Sequence, residues 1–240
     1  MKPREIASQV RDGLVELLRA CRAPGGLALL VTTVILVTRE SAGDWRPLLR
    51  VWAALSITEP LLQHQMMAVV LQLVVPVLVI WLVHRRRVRE FGLELGRTGF
   101  WLPITLAIFA VQVPVVALYL SRDPVYRRRY PSLHGARGGG ALFWGWEGSR
   151  ALYMISWEFL FRGYLLFALQ PTTGHLASVV QMVPFVLMHM VSRKPISEVY
   201  FTVGSGLLSG VFALLARSAW PIIWLHAAGA ILLDICIVYC

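Results

Sequence analysis

Apolar runs of membrane-crossing length recur along this chain and leave few folds open to it. A helix needs about 20 largely apolar residues to cross the hydrocarbon core of a bilayer. Gln65–Val83, Phe100–Leu120, Ala151–Leu169, Leu176–Val191, Val199–Leu215 and Trp220–Tyr239 meet or approach that length, and Ala23–Thr38 reads as a shorter first span. Val51–Leu62 is too short to cross alone and contains Glu59-Pro60, so it reads as an interfacial piece or an extension of the next helix. Hydrophobic residues make up 57% of the 240, against about 45–50% in soluble domains. A soluble fold of this size has no interior large enough to hide them. The expected fold is all-α, a polytopic transmembrane bundle of about six to eight helices.

The chain reads as one integral-membrane domain in three stretches. Residues 1–22 form an amphipathic segment, 23–140 hold the first spans and basic loops, and 141–240 hold spans that carry polar motifs. Net charge is +10, from 23 Lys and Arg against 13 Asp and Glu. In a soluble chain that excess would suggest nucleic acid. Here the arginines bunch at the ends of apolar runs, as in Arg85-Arg86-Arg87 and Arg127-Arg128-Arg129. That placement points to membrane lipids as the partner and away from nucleic acid. The basic connections His84–Thr98 and Ser121–Gly140 carry five arginines each, and the single span between them puts them on opposite sides. Ser121–Gly140 reads as a loop, Phe91–Gly96 as an interfacial segment, and Pro171–Gly174 and Ser192–Pro195 as turns. Cys21, Cys236 and Cys240 show neither a CxxC nor metal-ligand spacing. Residues 1–22 lack an apolar core followed by a small-residue cleavage site, so no cleaved signal peptide is expected. The overall composition suits a bacterial inner membrane.

Ionisable residues enter the later spans. Glu158 and Arg162, four apart, fall about 40° apart on one helical face, inside the apolar run Ala151–Leu169. An unpaired charge there costs roughly 2.5–3.5 kcal/mol on insertion scales. Glu147 and Arg150 precede them, His189 lies late in the following span, Glu198 opens the next, and the last span holds His226 and Asp234. Each has an ordinary reading: a structural ion pair for Glu158 and Arg162, head-group contact for His189, an interhelical hydrogen bond for His226, a helix-dipole acid for Glu198, a solvated or paired acid for Asp234. Together they assemble the chemistry of water activation. A carboxylate beside a neutral imidazole can hold and deprotonate a water, and a second imidazole can donate to a developing oxyanion. Two histidines with a glutamate can also bind zinc. No HExxH is present, so a metal site would have to be assembled from separate helices. No Ser or Cys lies in a recognisable nucleophile motif with a histidine.

At these residues the chain resembles the CPBP family of intramembrane proteases, also called the Abi or CAAX-protease family, which includes the type II CAAX prenyl endopeptidases. The family pattern is EExxxR on one helix, FxxxH on a later one, and HxxxN or HxxxD near the C-terminus. Phe185 and His189 fit the second motif, and Glu158 and Arg162 fit the second acid and the arginine of the first. Trp157 stands where the leading, water-activating glutamate belongs. His226 fits the third motif, but Ala230 stands where Asn or Asp is expected, with Asp234 one turn beyond. The resemblance implies an endopeptidase that cuts a peptide or protein substrate, including lipidated ones, in or near the bilayer. It implies Glu158 as base aided by His189, His226 as carbonyl or water ligand, and Arg162 as the residue orienting Glu158. Glu147, Glu198 and Asp234 stand in reserve for the missing acid. The family label also implies a divalent metal such as zinc, with Glu158, His189 and His226 as its ligands. The departures at Trp157 and Ala230 support an alternative, a catalytically impaired relative serving as a membrane scaffold, immunity or binding protein. A proton- or ion-relay transporter fits less well, because no repeat or pair of broken helices is visible.

Overall fold

In the computed structural model residues 3–41 and 59–240 are described, and all regular structure among them is helical. In chain order the principal helices are α1 (Pro3–Arg22), α2 (Pro24–Ser41), α3 (Pro60–His84), α4 (Thr98–Leu118), α5 (Pro124–Arg129), α6 (Gly140–Glu158), α7 (Leu166–Thr173), α8 (Ala177–Val191), α9 (Ile196–Ala216) and α10 (Trp220–Tyr239). Proline and acidic caps set where two of them begin. Glu59 accepts the Leu61 N–H at 3.5 Å ahead of Pro60, whose missing N–H is harmless in a first turn. The end of Val51–Leu62 therefore extends the next helix, and its remainder, 51–58, lies outside the described residues. Asp123 acts likewise at 2.7 Å on Val125 ahead of Pro124. Ser121–Gly140, expected as a loop, thus carries the short helix α5.

Five helical stretches among the described residues are long and apolar enough to cross a membrane, and a sixth is reached only if the bent pair α1–α2 is counted as one span. The longest, Gly140–Val191, has 52 residues, about 78 Å at 1.5 Å per residue and far more than one crossing. It folds back at Gly174, where φ is +57°. The ring pairs Trp157–His189 at 5.8 Å and Phe161–Phe185 at 5.3 Å step in opposite directions along the chain about Thr173, which makes α8 antiparallel to α6 and α7. The turn comes later than the sequence suggested. α7 continues through Pro171 to Thr173, with the Thr172 and Thr173 hydroxyls each donating to Leu169 O at 3.0 Å.

Two faces of the bundle follow from contacts between helix ends. On one, Gly25 abuts Ala168 and Leu169, Gly92 abuts Phe167 and Ala219, and Arg97 N–H donates to Ala216 O at 2.8 Å. On the other, Arg129 Nη2 donates to Ser192 O at 2.6 Å and Gly140 N–H to Tyr239 OH at 3.3 Å. We refer to them as the Gly174 face and the Lys194 face. The two basic connections lie on opposite faces, as the sequence required.

In lipid there is little hydrophobic force between helices, so close approach and buried hydrogen bonds hold them together. Gly206 and Gly210 of α9 face α8, where a Cβ at 210 would lie 2.8 Å from Gln181 Nε2. Gln181 in turn donates to Gly206 O at 2.9 Å. Ser149 to Gln65 at 2.8 Å and Ser156 to Gln72 at 3.5 Å hold α6 parallel to α3. At the centre, Phe159, Leu160, Phe161, Tyr164, Leu165 and Leu166 are fully buried. Most of these belong to a π-helical segment, Phe159–Leu165, that joins α6 to α7 directly after Glu158. The uninterrupted α-helix expected over Ala151–Leu169 is therefore widened at its polar motif, a place where such segments often mark function.

Candidate active site

The site is organised around the Glu158 carboxylate, which is 1% exposed. One oxygen, Oε2, lies 3.1 Å from Arg162 Nη1, and the other, Oε1, accepts a hydrogen bond from His226 Nδ1 at 2.5 Å. Three helical segments thus converge on one acid, α6 giving Glu158, the π segment Arg162 and α10 His226. The Arg162 guanidinium carbon also sits 3.6 Å from the centre of the Phe185 ring, where the π face favours a cation. Phe185 serves twice, because its carbonyl accepts a 2.9 Å hydrogen bond from His189 Nδ1. The Phe and His of the FxxxH pattern are four residues apart because a helical carbonyl meets the side chain one turn on.

These bonds define what the two imidazoles offer. With carbonyl or carboxylate acceptors at Nδ1, each neutral ring carries its hydrogen there and keeps a lone pair at Nε2. Among the described residues neither Nε2 has a hydrogen-bond partner. Both rings line one small cavity, together with Tyr153, Trp157, Ser192 and Lys194. Glu158 stands behind His226 and bonds to it.

Trp157 immediately precedes Glu158 at the end of α6. Its indole is 4% exposed and packs 4.9 Å from Phe161, 5.8 Å from Phe185 and 5.8 Å from His189, measured between ring centres. Among the described residues its buried Nε1–H has no hydrogen-bond partner. Behind it lies Arg39 of α2, a residue that sequence reasoning missed. Arg39 is 6% exposed, with its guanidinium carbon 5.1 Å from the Trp157 ring, and it donates to Tyr153 OH at 3.0 Å and pairs with Glu40 at 3.3 Å. In the sequence it looks like any arginine ending an apolar run, and no signal distinguishes it.

The reserve acids form a second polar cluster. Asp234 bonds to Arg150 and accepts from Trp146 Nε1 at 3.3 Å, and buried Glu147 lies beside both Arg150 and Asp234. Asp234 is therefore engaged with α6 and does not take the place left by Ala230. Glu198 pairs with Lys194 at 3.0 Å and accepts from Tyr130 OH at 3.0 Å, and Lys194 also donates to that hydroxyl. Burial lowers the Lys194 pKa, opposed by the Glu198 charge. Burial raises that of the Tyr130 phenol, helped by the same carboxylate. Tyr130 belongs to the connection between α5 and α6, which so latches onto the turn that supplies Ser192 and Lys194 to the cavity.

The residues present do not fit the implied metal. Among the described residues no group of three or more His, Cys, Asp and Glu side chains is arranged to hold an ion, and both Glu158 oxygens already face Arg162 and His226.

Comparison with known proteins bears on the same residues. No curated protein and no solved structure matches the chain. Residues 149–232 match the family model described as type II CAAX prenyl endopeptidase Rce1-like. That interval holds Glu158, Arg162, His189 and His226, and it leaves out Glu147 and Asp234. The region built around the buried Glu158 is thus similar to the Rce1-like type II CAAX prenyl endopeptidases over those residues.

Proposed function

We propose that the protein is an intramembrane endopeptidase in which the Glu158–His226 pair activates a water. The observation that carries this reading is the 2.5 Å bond from His226 Nδ1 to Glu158 Oε1, with both histidines lining one cavity. The roles differ from those the family resemblance first suggested. Glu158 is committed to Arg162 and His226, so it orients the imidazole, and His226 Nε2 is the base. In the reaction the water oxygen attacks the amide carbon while its proton passes to His226 Nε2. The tetrahedral oxyanion then collapses, the C–N bond breaks, and the imidazolium returns the proton to the departing amine. His189 Nε2 holds the water, and the donor that the cavity lining offers the oxyanion is the Lys194 ammonium. Ser192 and Lys194 belong to the turn at the Lys194 face, so the scissile bond of a peptide or lipidated peptide is met near that face. The composition favours a bacterial inner membrane as the setting.

The test is cleavage by the purified protein in phosphatidylcholine/phosphatidylglycerol vesicles carrying a library of membrane-anchored peptides, with products mapped by mass. A discrete set of products lost on replacing His226 supports the reading, and no product from any anchored peptide counts against it.

One observation favours a second reading, a non-catalytic relative, because the Trp157 indole fills the acid's position and covers His189. Trp157→Glu separates the two. A new carboxylate there lies beside Arg39 and His189. Cleavage by Trp157→Glu alone, with an inert wild type, favours the non-catalytic reading, and cleavage by the wild type excludes it.

A further inference from the structure

Helices α1 and α2 meet at 82°, and the corner is continuous and closely fitted. Ala23 N–H donates to Arg19 O at 3.1 Å and Leu27 N–H to Ala23 O at 2.9 Å, so backbone bonding runs through the bend. Gly26 stands on its inside, where a Cβ would lie 2.0 Å from Ala20 O. Gly25 seats the start of α2 on α7, where a Cβ would lie 3.2 Å from Ala168 O. From there α2 runs along the bundle, burying Ala28, Ile35 and Leu36 in its core. A helix at 82° to it runs nearly in the membrane plane. The corner rests on Ala168 and Leu169, about one turn from the end of α7, so α1 leaves the bundle near the edge of the Gly174 face.

The side chains of α1 suit that position. At about 100° per residue, Ile6, Val10, Leu14, Leu17 and Leu18 fall within about 120° of one another. They are 44–58% exposed. Arg11, Asp12, Glu16, Arg19 and Arg22 fall on the other side and are also exposed. A contiguous apolar stripe of this kind is not left in water. We propose that α1 is an in-plane helix seated in the interfacial zone of the bilayer on the Gly174 face. Its apolar stripe enters the acyl boundary and its charges lie among the head groups. Because its charges are of both signs, attachment rests on apolar area and not on anionic lipid.

The full-length protein, with its three native cysteines replaced, would carry an environment-sensitive fluorophore on Leu14→Cys or on Glu16→Cys. It would be reconstituted in phosphatidylcholine vesicles. A spin-labelled lipid is expected to quench the probe at 14 several-fold more than at 16, and aqueous iodide to do the reverse. Equal iodide quenching at both positions would overturn the proposal, since α1 would then lie in water. Protection of position 14 from both quenchers, with disulfide cross-linking between copies of the unlabelled Leu14→Cys protein, would overturn it in favour of a second chain on the same stripe. Gly26→Leu is expected to open the corner and bring the two positions together. An unchanged pattern in that variant would remove the bend from the explanation.

Discussion

Replacing His226 with alanine is expected to lower peptide cleavage by about 10²–10⁴-fold, the usual contribution of a positioned general base. His226 is also a good residue to test, because its side chain is 30% exposed and its loss removes little packing. The variant keeps the Arg162–Glu158 pair and is expected to retain most of the wild-type thermal midpoint. His189→Ala is expected to have a smaller effect, because His189 is held by a backbone carbonyl and has no carboxylate partner. The order His226 before His189 distinguishes this mechanism from one in which Glu158 is itself the base and His189 its main helper. Initial rates of product formation in vesicles, at saturating peptide, measure it. Activity within twofold of wild type in His226→Ala would remove the general-base assignment, and a larger loss in His189→Ala would exchange the two roles.

The sequence carried the fold and the members of the candidate site further than it carried their connections. Long apolar runs announce membrane helices because lipid admits few alternatives, and the ordered Glu158, Arg162, Phe185, His189 and His226 stood out because charges and imidazoles are rare in such runs. What a side chain bonds to depends on neighbours far along the chain. Asp234 looked like a substitute for the residue missing at Ala230, yet Arg150 and Trp146, more than eighty residues earlier, claim it. Glu147 shares the uninterrupted helix α6 with Glu158, and its company is that second cluster. The π segment after Glu158 was invisible because its residues are as apolar and helix-compatible as those of an ordinary turn. Arg39 was hidden for a similar reason, since an arginine closing a span reads as a head-group anchor until the rings it stacks on are known. In the sequence Trp157 departs from the pattern that the chain resembles, and only its surroundings reveal that its N–H has no partner among the described residues.

Glu158→Gln is expected to destabilise the protein by about 3–5 kcal/mol, the range for removing one partner of a buried ion pair. The mutation keeps the shape of the side chain and removes its charge. Arg162, 1% exposed, then keeps a full positive charge with no other ion-pair partner among the described residues, and its Nε already lacks a hydrogen bond. The Phe185 ring at 3.6 Å offsets part of that, by an amount on the order of 2 kcal/mol when desolvated. Arg162→Met is expected to cost less, because Glu158 retains its hydrogen bond from His226. The double variant Glu158→Gln/Arg162→Met removes both charges and is expected to recover much of the loss, as buried pairs replaced by apolar or neutral residues often do. Denaturation of the four proteins in detergent gives the coupling energy directly. Additive losses would mean that the two side chains act independently, against the picture of a pair that holds Glu158 for His226. If the double variant regains stability but cleaves no peptide, folding and catalysis separate at this acid, with Arg162 serving the first and the Glu158–His226 bond the second.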